Sequence, residues 1–72
     1  MNNKEKKQFI KDNTIIQLQK LREKLGTGIE ILSETNDDKK LAGIVYNLYN
    51  YIDYTNGKVI HLLSRLPEED NE

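Results

Sequence analysis

From Asp38 to Leu66 the chain repeats at alternating steps of four and three: Leu41, Val45, Leu48, Ile52, Thr55, Val59, Leu62 and Leu66. This heptad spacing keeps one seam of an α-helix turned toward a partner. No proline interrupts it before Pro67 and only Thr55 dilutes it, so the spacing predicts a helix over residues 38–66, about 42 Å long at 1.5 Å per residue. Asn56-Gly57 is a strong turn dipeptide that offers a rival reading as two shorter helices. The seam keeps its phase across the pair and both residues face away from it, which favours a continuous helix.

A second stripe precedes the first. Thr14, Leu18, Leu21, Leu25, Gly28 and Leu32 follow the same alternation, with Ile15 and Ile29 on its edge. Gly26-Thr27-Gly28 is the weak point, because each glycine costs a helix about 1 kcal/mol relative to alanine. A helix ending at Leu25 would lose the phase that Ile29 and Leu32 keep, so the expected helix 1 runs through, over about residues 12–33. Gly28 is then a seam position with no side chain, open to a large side chain or backbone from across the interface. Thr14 and Gln17 have capping-box spacing; an earlier start at Asn2 with Glu5 is the alternative. Residues 1–11, rich in lysine where a helix N-terminus disfavours positive charge, are expected to form a flexible basic arm.

Between the stripes, residues 34–37 form the expected turn, with Asp37 and Asp38 placing negative charge at the start of helix 2. A connection this short joins antiparallel neighbours. After Pro67 the chain has no apolar residue to bury, and residues 67–72 are expected to be a disordered acidic tail. The fold class is therefore all-α, an antiparallel hairpin of two long helices.

Seventy-two residues bury only about 60% of their unfolded surface, so a chain of this size needs outside support. With no cysteine and one histidine, disulfides and metal clusters are ruled out as that support, and a second subunit remains. Ile44, Tyr51 and Leu63 beside the second stripe make the apolar faces wider than a two-stranded coil uses. A homodimeric four-helix bundle would cover them. The seam assigned to core and dimer contacts is Leu18, Leu21, Leu25, Leu32, Leu41, Val45, Leu48, Ile52, Val59, Leu62 and Leu66.

This layout, two long helices and a tight turn, resembles that of dimeric helix-hairpin proteins. They include a plasmid-encoded RNA-binding regulator of that architecture and small adaptor-like hairpins of archaeal spindle-shaped viruses. The resemblance covers most of the chain as a pattern and carries over no residue. The heavy use of Asn, Lys, Ile and Tyr fits an AT-rich genome, such as that of a low-GC bacterium, an archaeon or one of their viruses.

The net charge of −1 joins a basic N-terminus (Lys4, Lys6, Lys7, Lys11) to an acidic C-terminus (Glu68, Glu69, Asp70, Glu72) and argues against a dedicated polyanion binder. No run of 18 apolar residues and no secretory-type leader is present, so the expected location is the cytoplasm, without membrane association. His61 has no cysteine or second histidine near it and reads as a solvated surface residue. Glu30 and Glu34 lack a matching acidic pair on the facing helix, and Gly26-Thr27-Gly28 matches no phosphate-loop spacing. The sequence thus calls for no catalytic residue, no metal and no cofactor.

Tyr46, Tyr49, Tyr51 and Tyr54 crowd into nine residues. Tyr46, Tyr49, Asn50, Asp53 and Ile60 share one outer face with Ala42, Gly43 and Gly57, an arrangement suited to a protein-binding patch. The structural alternative is that Tyr49 and Tyr51 pad the bundle edge while Tyr46 and Tyr54 are ordinary surface. Base stacking would need more basic neighbours than Lys58 alone. Phe9 and Ile16 form either an exposed apolar pair opposite the first seam or part of the flexible arm. The expected function is a non-catalytic homodimer that binds another protein as adaptor, inhibitor or regulator. The alternative is a nucleic-acid-binding hairpin using Lys20, Lys24, Lys39 and Lys40, with affinity that falls steeply with salt.

Overall fold

The computed structural model describes residues 2–67 of the 72. Two helices, α1 (Asn3–Glu34) and α2 (Asp38–Leu63), pack side by side as a hairpin measuring 57 × 18 × 15 Å. No backbone feature breaks either rod: α1 continues through Gly26 and Gly28, α2 continues through Asn56 and Gly57, and no described residue has positive φ.

The caps explain where the helices begin and end. Asn2 Oδ1 accepts the Glu5 N–H at 2.8 Å, and Asn2 Nδ2 donates to Glu5 Oε1 at 3.3 Å, which satisfies an orphan donor of the first turn. The expected flexible arm over residues 1–11 is therefore replaced by helix from Asn3 onward. Gln8 Nε2 donating to Asp12 Oδ1 at 2.8 Å and burial of Ile10 hold this added stretch in place. Thr14, expected as the cap, lies mid-helix. At the turn, the Thr35 and Ser33 hydroxyls donate back to the carbonyls of Ile31 and Glu30. Asp37 then accepts from the N–H groups of Lys39 at 2.9 Å and Lys40 at 3.4 Å.

Helix α2 stops three residues before the expected Leu66. Arg65 and Leu66 donate their N–H groups to carbonyls three residues back, Leu62 and Leu63, and this tightened turn leads into Pro67. The acidic tail from residue 68 lies outside the described residues.

Packing follows the heptads, but with a rotation. In α1, Ile10, Thr14, Gln17, Leu21, Leu25, Gly28 and Leu32 face inward; in α2, Leu41, Ile44, Leu48, Tyr51, Ile52, Thr55, Val59 and Leu62 do. Among the described residues only Ile10, Gly28 and Thr55 are buried outright, and the other inward residues are partly exposed. The row Leu41, Leu48, Thr55 and Leu62 sits where the sequence places it. Of the companion row, Ile52 and Val59 are partly buried while Val45 and Leu66 are turned out to one side, and Ile44 and Tyr51 join the inward set. Leu18 is likewise 49% exposed, with Gln17 inside instead. Two rods touch along a strip narrower than either apolar face, so part of each expected seam is left uncovered.

Candidate interaction surfaces

In an antiparallel pair, residues advanced by the same rotation from each seam emerge on the same side of the hairpin. On α1 these are Ile15, Leu18, Leu25 and Ile29, and on α2 they are Val45, Ile52, Val59, Leu63 and Leu66. They meet across the interface: one shallow groove is lined by Leu18, Leu21, Ile52 and Val59, and a second by Ile10, Ile15, Leu63 and Leu66. Ile15, Leu18, Ile29, Val45, Leu63 and Leu66 remain 38–62% exposed. The result is an apolar stripe on one side of the rod, flanked by Lys7 and Lys11 at its N-terminal end.

The opposite side has different chemistry. Lys24 Nζ of α1 lies 5.8 Å from the centroid of the Tyr51 ring, and Lys58 Nζ lies 4.9 Å from that of Tyr54. Both distances fall within cation–π range. The two rings are tilted neighbours with centroids 6.0 Å apart. Beyond them a groove of about 500 Å³ runs between Asn13 and Gln17 on one wall and Tyr54, Lys58 and His61 on the other, with Leu62 at its floor and Asp53 at its border. It continues past Phe9, Lys6 and Arg65 toward the helix ends.

The outward face of α2 carries the expected tyrosine patch. Tyr46 (71% exposed), Tyr49 (63%) and Ile60 (56%) stand in solvent with Asn50 and Asp53. Tyr51 and Tyr54 instead belong to the cationic side. Phe9 and Ile16 are both on helix α1 and both exposed, Phe9 beside Lys6 and Arg65 and Ile16 among Gln19, Lys20, Arg22 and Glu23. His61 is exposed and lines the groove.

Sequence reasoning missed the pairing of Lys24 with Tyr51 across the two helices, because spacing along one helix carries no information about the other. It also missed Ile10, at 3% the least exposed apolar residue among those described. Stepping back from Leu21 through Gln17 and Thr14 by the same alternation would have reached it.

Among the described residues, no group of three or more His, Cys, Asp or Glu side chains is placed to hold a metal ion, and no helix is long and apolar enough to cross a membrane. No family model, curated protein or solved structure matches this chain.

Proposed function

We propose that this protein is a non-catalytic cytoplasmic homodimer, a four-helix bundle of two hairpins that acts by binding another protein as an adaptor, inhibitor or regulator. The observation behind this reading is the uncovered apolar stripe from Ile15 to Ile29 and from Val45 to Leu66. The chain exposes 6103 Å². A compact monomer of 8.4 kDa would expose about 4600 Å². The excess is about 1500 Å² per chain, so two chains hold about 3000 Å² to bury, within the range of obligate homodimer interfaces. At about 25 cal/mol per Å² of apolar surface, covering the stripe supplies stabilisation that three buried residues in the hairpin do not.

Dimerisation through the stripe leaves the outward face of α2 in solvent. Tyr46, Tyr49 and Ile60 with Asn50 and Asp53 combine large, stiff aromatic area with polar groups, the composition that dominates protein-recognition hot spots. Light scattering on the full chain tests the assembly: a mass of one chain at micromolar concentration removes the bundle. Capture from extract of the native host tests the recognition face. Tyr46→Ala with Tyr49→Ala should abolish capture of the partner at unchanged helicity, and undiminished capture removes this face.

A further inference from the structure

The side of the hairpin opposite the apolar stripe combines two features that the chain as a whole lacks. The first is local positive charge. On this side Lys58 lines one groove, Lys6 and Arg65 line the next, Lys24 stands over Tyr51 farther along the hairpin, and Asp53 is the acid at the edge. The second is aromatic surface presented between the cations. Lys24, Tyr51, Tyr54 and Lys58 form an unbroken series of cation, ring, ring, cation, with successive separations of 5.8, 6.0 and 4.9 Å. Phe9, 50% exposed, lines the neighbouring groove together with Lys6 and Arg65.

We propose that this side binds single-stranded nucleic acid, with phosphates on Lys6, Lys24, Lys58 and Arg65 and bases against Tyr54 and Phe9. Two physical arguments select this occupant. A polyanion satisfies the cations, but only one with separable flat apolar faces also covers Tyr54 and Phe9, which remain half-exposed beside them. A duplex keeps its base faces stacked inside and can offer only phosphate. An acidic segment without aromatic side chains pairs with the lysines but gives the rings no matching planar surface. The two grooves and the Lys24–Tyr51 pair follow one another along the hairpin, as an extended strand requires. The inference stands apart from the proposed protein-binding role: it uses neither the apolar stripe nor Tyr46 and Tyr49, and a dimer formed through the stripe leaves this side outward.

The test is fluorescence anisotropy of the full chain with labelled oligo-deoxythymidine long enough to span the 57 Å rod. Four phosphate contacts on a single strand predict about a 50-fold loss of affinity between 50 and 200 mM salt. Tyr54→Ala should weaken binding by about tenfold, whereas Tyr54→Phe, which keeps the ring, should stay within about twofold. Lys24→Gln with Lys58→Gln should lower the salt slope by about 1.4. Tyr46→Ala, on the outward face, should bind as the parent does. Circular dichroism confirms that each variant is folded, and if Tyr54→Ala loses helicity the lysine variants decide. Absence of binding at 50 mM salt overturns the proposal. Equal affinity for a duplex of the same length, or full affinity in Tyr54→Ala, overturns it as well. Displacement of the oligonucleotide by polyglutamate at equal charge does the same and assigns the surface to an acidic protein segment.

Discussion

Leu48 occupies the space in which a side chain at Gly28 would stand: a Cβ built on Gly28 lies 2.6 and 2.8 Å from the two Leu48 methyls and 3.0 Å from its Cγ. The missing side chain on α1 is the socket for a leucine of α2. Gly26, two residues earlier in the same helix, has nothing within 4 Å of its Cβ position.

Helix propensity treats these glycines alike, and packing separates them. Gly26→Ala should stabilise the hairpin by about 1 kcal/mol, the helix-interior difference between the two residues. Gly28→Ala gains the same term but drives Leu48 out of its site, an overpacking cost of about 1–3 kcal/mol, so its net effect is neutral to destabilising. In a Leu48→Ala background the obstruction is gone, and Gly28→Ala should again stabilise by about 1 kcal/mol. Urea unfolding of the four variants checks the cycle, and equal gains for Gly26→Ala and Gly28→Ala in the parent would remove the socket.

How much of this was legible in the sequence differs by level. The phase of Ile29 and Leu32 was enough to carry α1 through Gly26 and Gly28, and the side-chain-free seam position at Gly28 was visible for the same reason. The rows Leu21, Leu25, Leu32 and Leu41, Leu48, Leu62 could be read because they lie at the centre of each apolar face. The edges could not. Whether Val45 or Ile44 turns inward depends on a rotation of about 100°, which is set by the partner helix, and both residues are apolar. The helix start was misplaced because the lysines of residues 4–11 outweighed the Asn2–Glu5 cap in the reading, whereas in the structure the cap and Ile10 prevail. Of the cationic side only Lys58 beside the tyrosines was visible, since Lys24 and Tyr51 are 27 residues apart and only the hairpin register brings them together.

Thr14 carries a hydroxyl oxygen that is buried and has no hydrogen-bond partner. An unsatisfied buried hydroxyl costs about 1–3 kcal/mol, and valine keeps the β-branched shape without it. Thr14→Val should therefore raise the urea midpoint, by about 1 kcal/mol or more in unfolding free energy. Thr14→Ser, which keeps the hydroxyl and loses a methyl, should lower it. A midpoint for Thr14→Val at or below the parent's would mean that the oxygen is satisfied in solution.

Asp37 alone supplies the side-chain cap for α2, accepting from two backbone N–H groups. Asp37→Ala should cost about 1 kcal/mol, and Asp37→Asn, which keeps a capping oxygen and loses the charge, distinctly less. Thermal melts at low salt should rank the parent above Asn and Asn above Ala. An alanine variant that melts with the parent would show that the turn holds without the cap.

Ile16 and Leu18 are two residues apart on α1 and nearly equally exposed, at 45% and 49%, yet they stand on different faces. Leu18 borders the groove with Ile52 and Val59, while Ile16 sits among Gln19, Lys20, Arg22 and Glu23. Glutamate at either position removes a similar amount of half-exposed apolar surface from a single hairpin, so the intrinsic cost should be comparable. In a dimer closed through the apolar stripe the two diverge. By twofold symmetry Leu18→Glu buries two unpaired carboxylates in one interface, and an unpaired buried charge costs several kcal/mol. Leu18→Glu should thus sediment as a single chain of 8.4 kDa with a lowered melting temperature, and Ile16→Glu should sediment at twice that mass. If both variants dissociate, the interface includes the outer face of α1. If neither does while the parent is a dimer, the stripe is not what holds the two hairpins together.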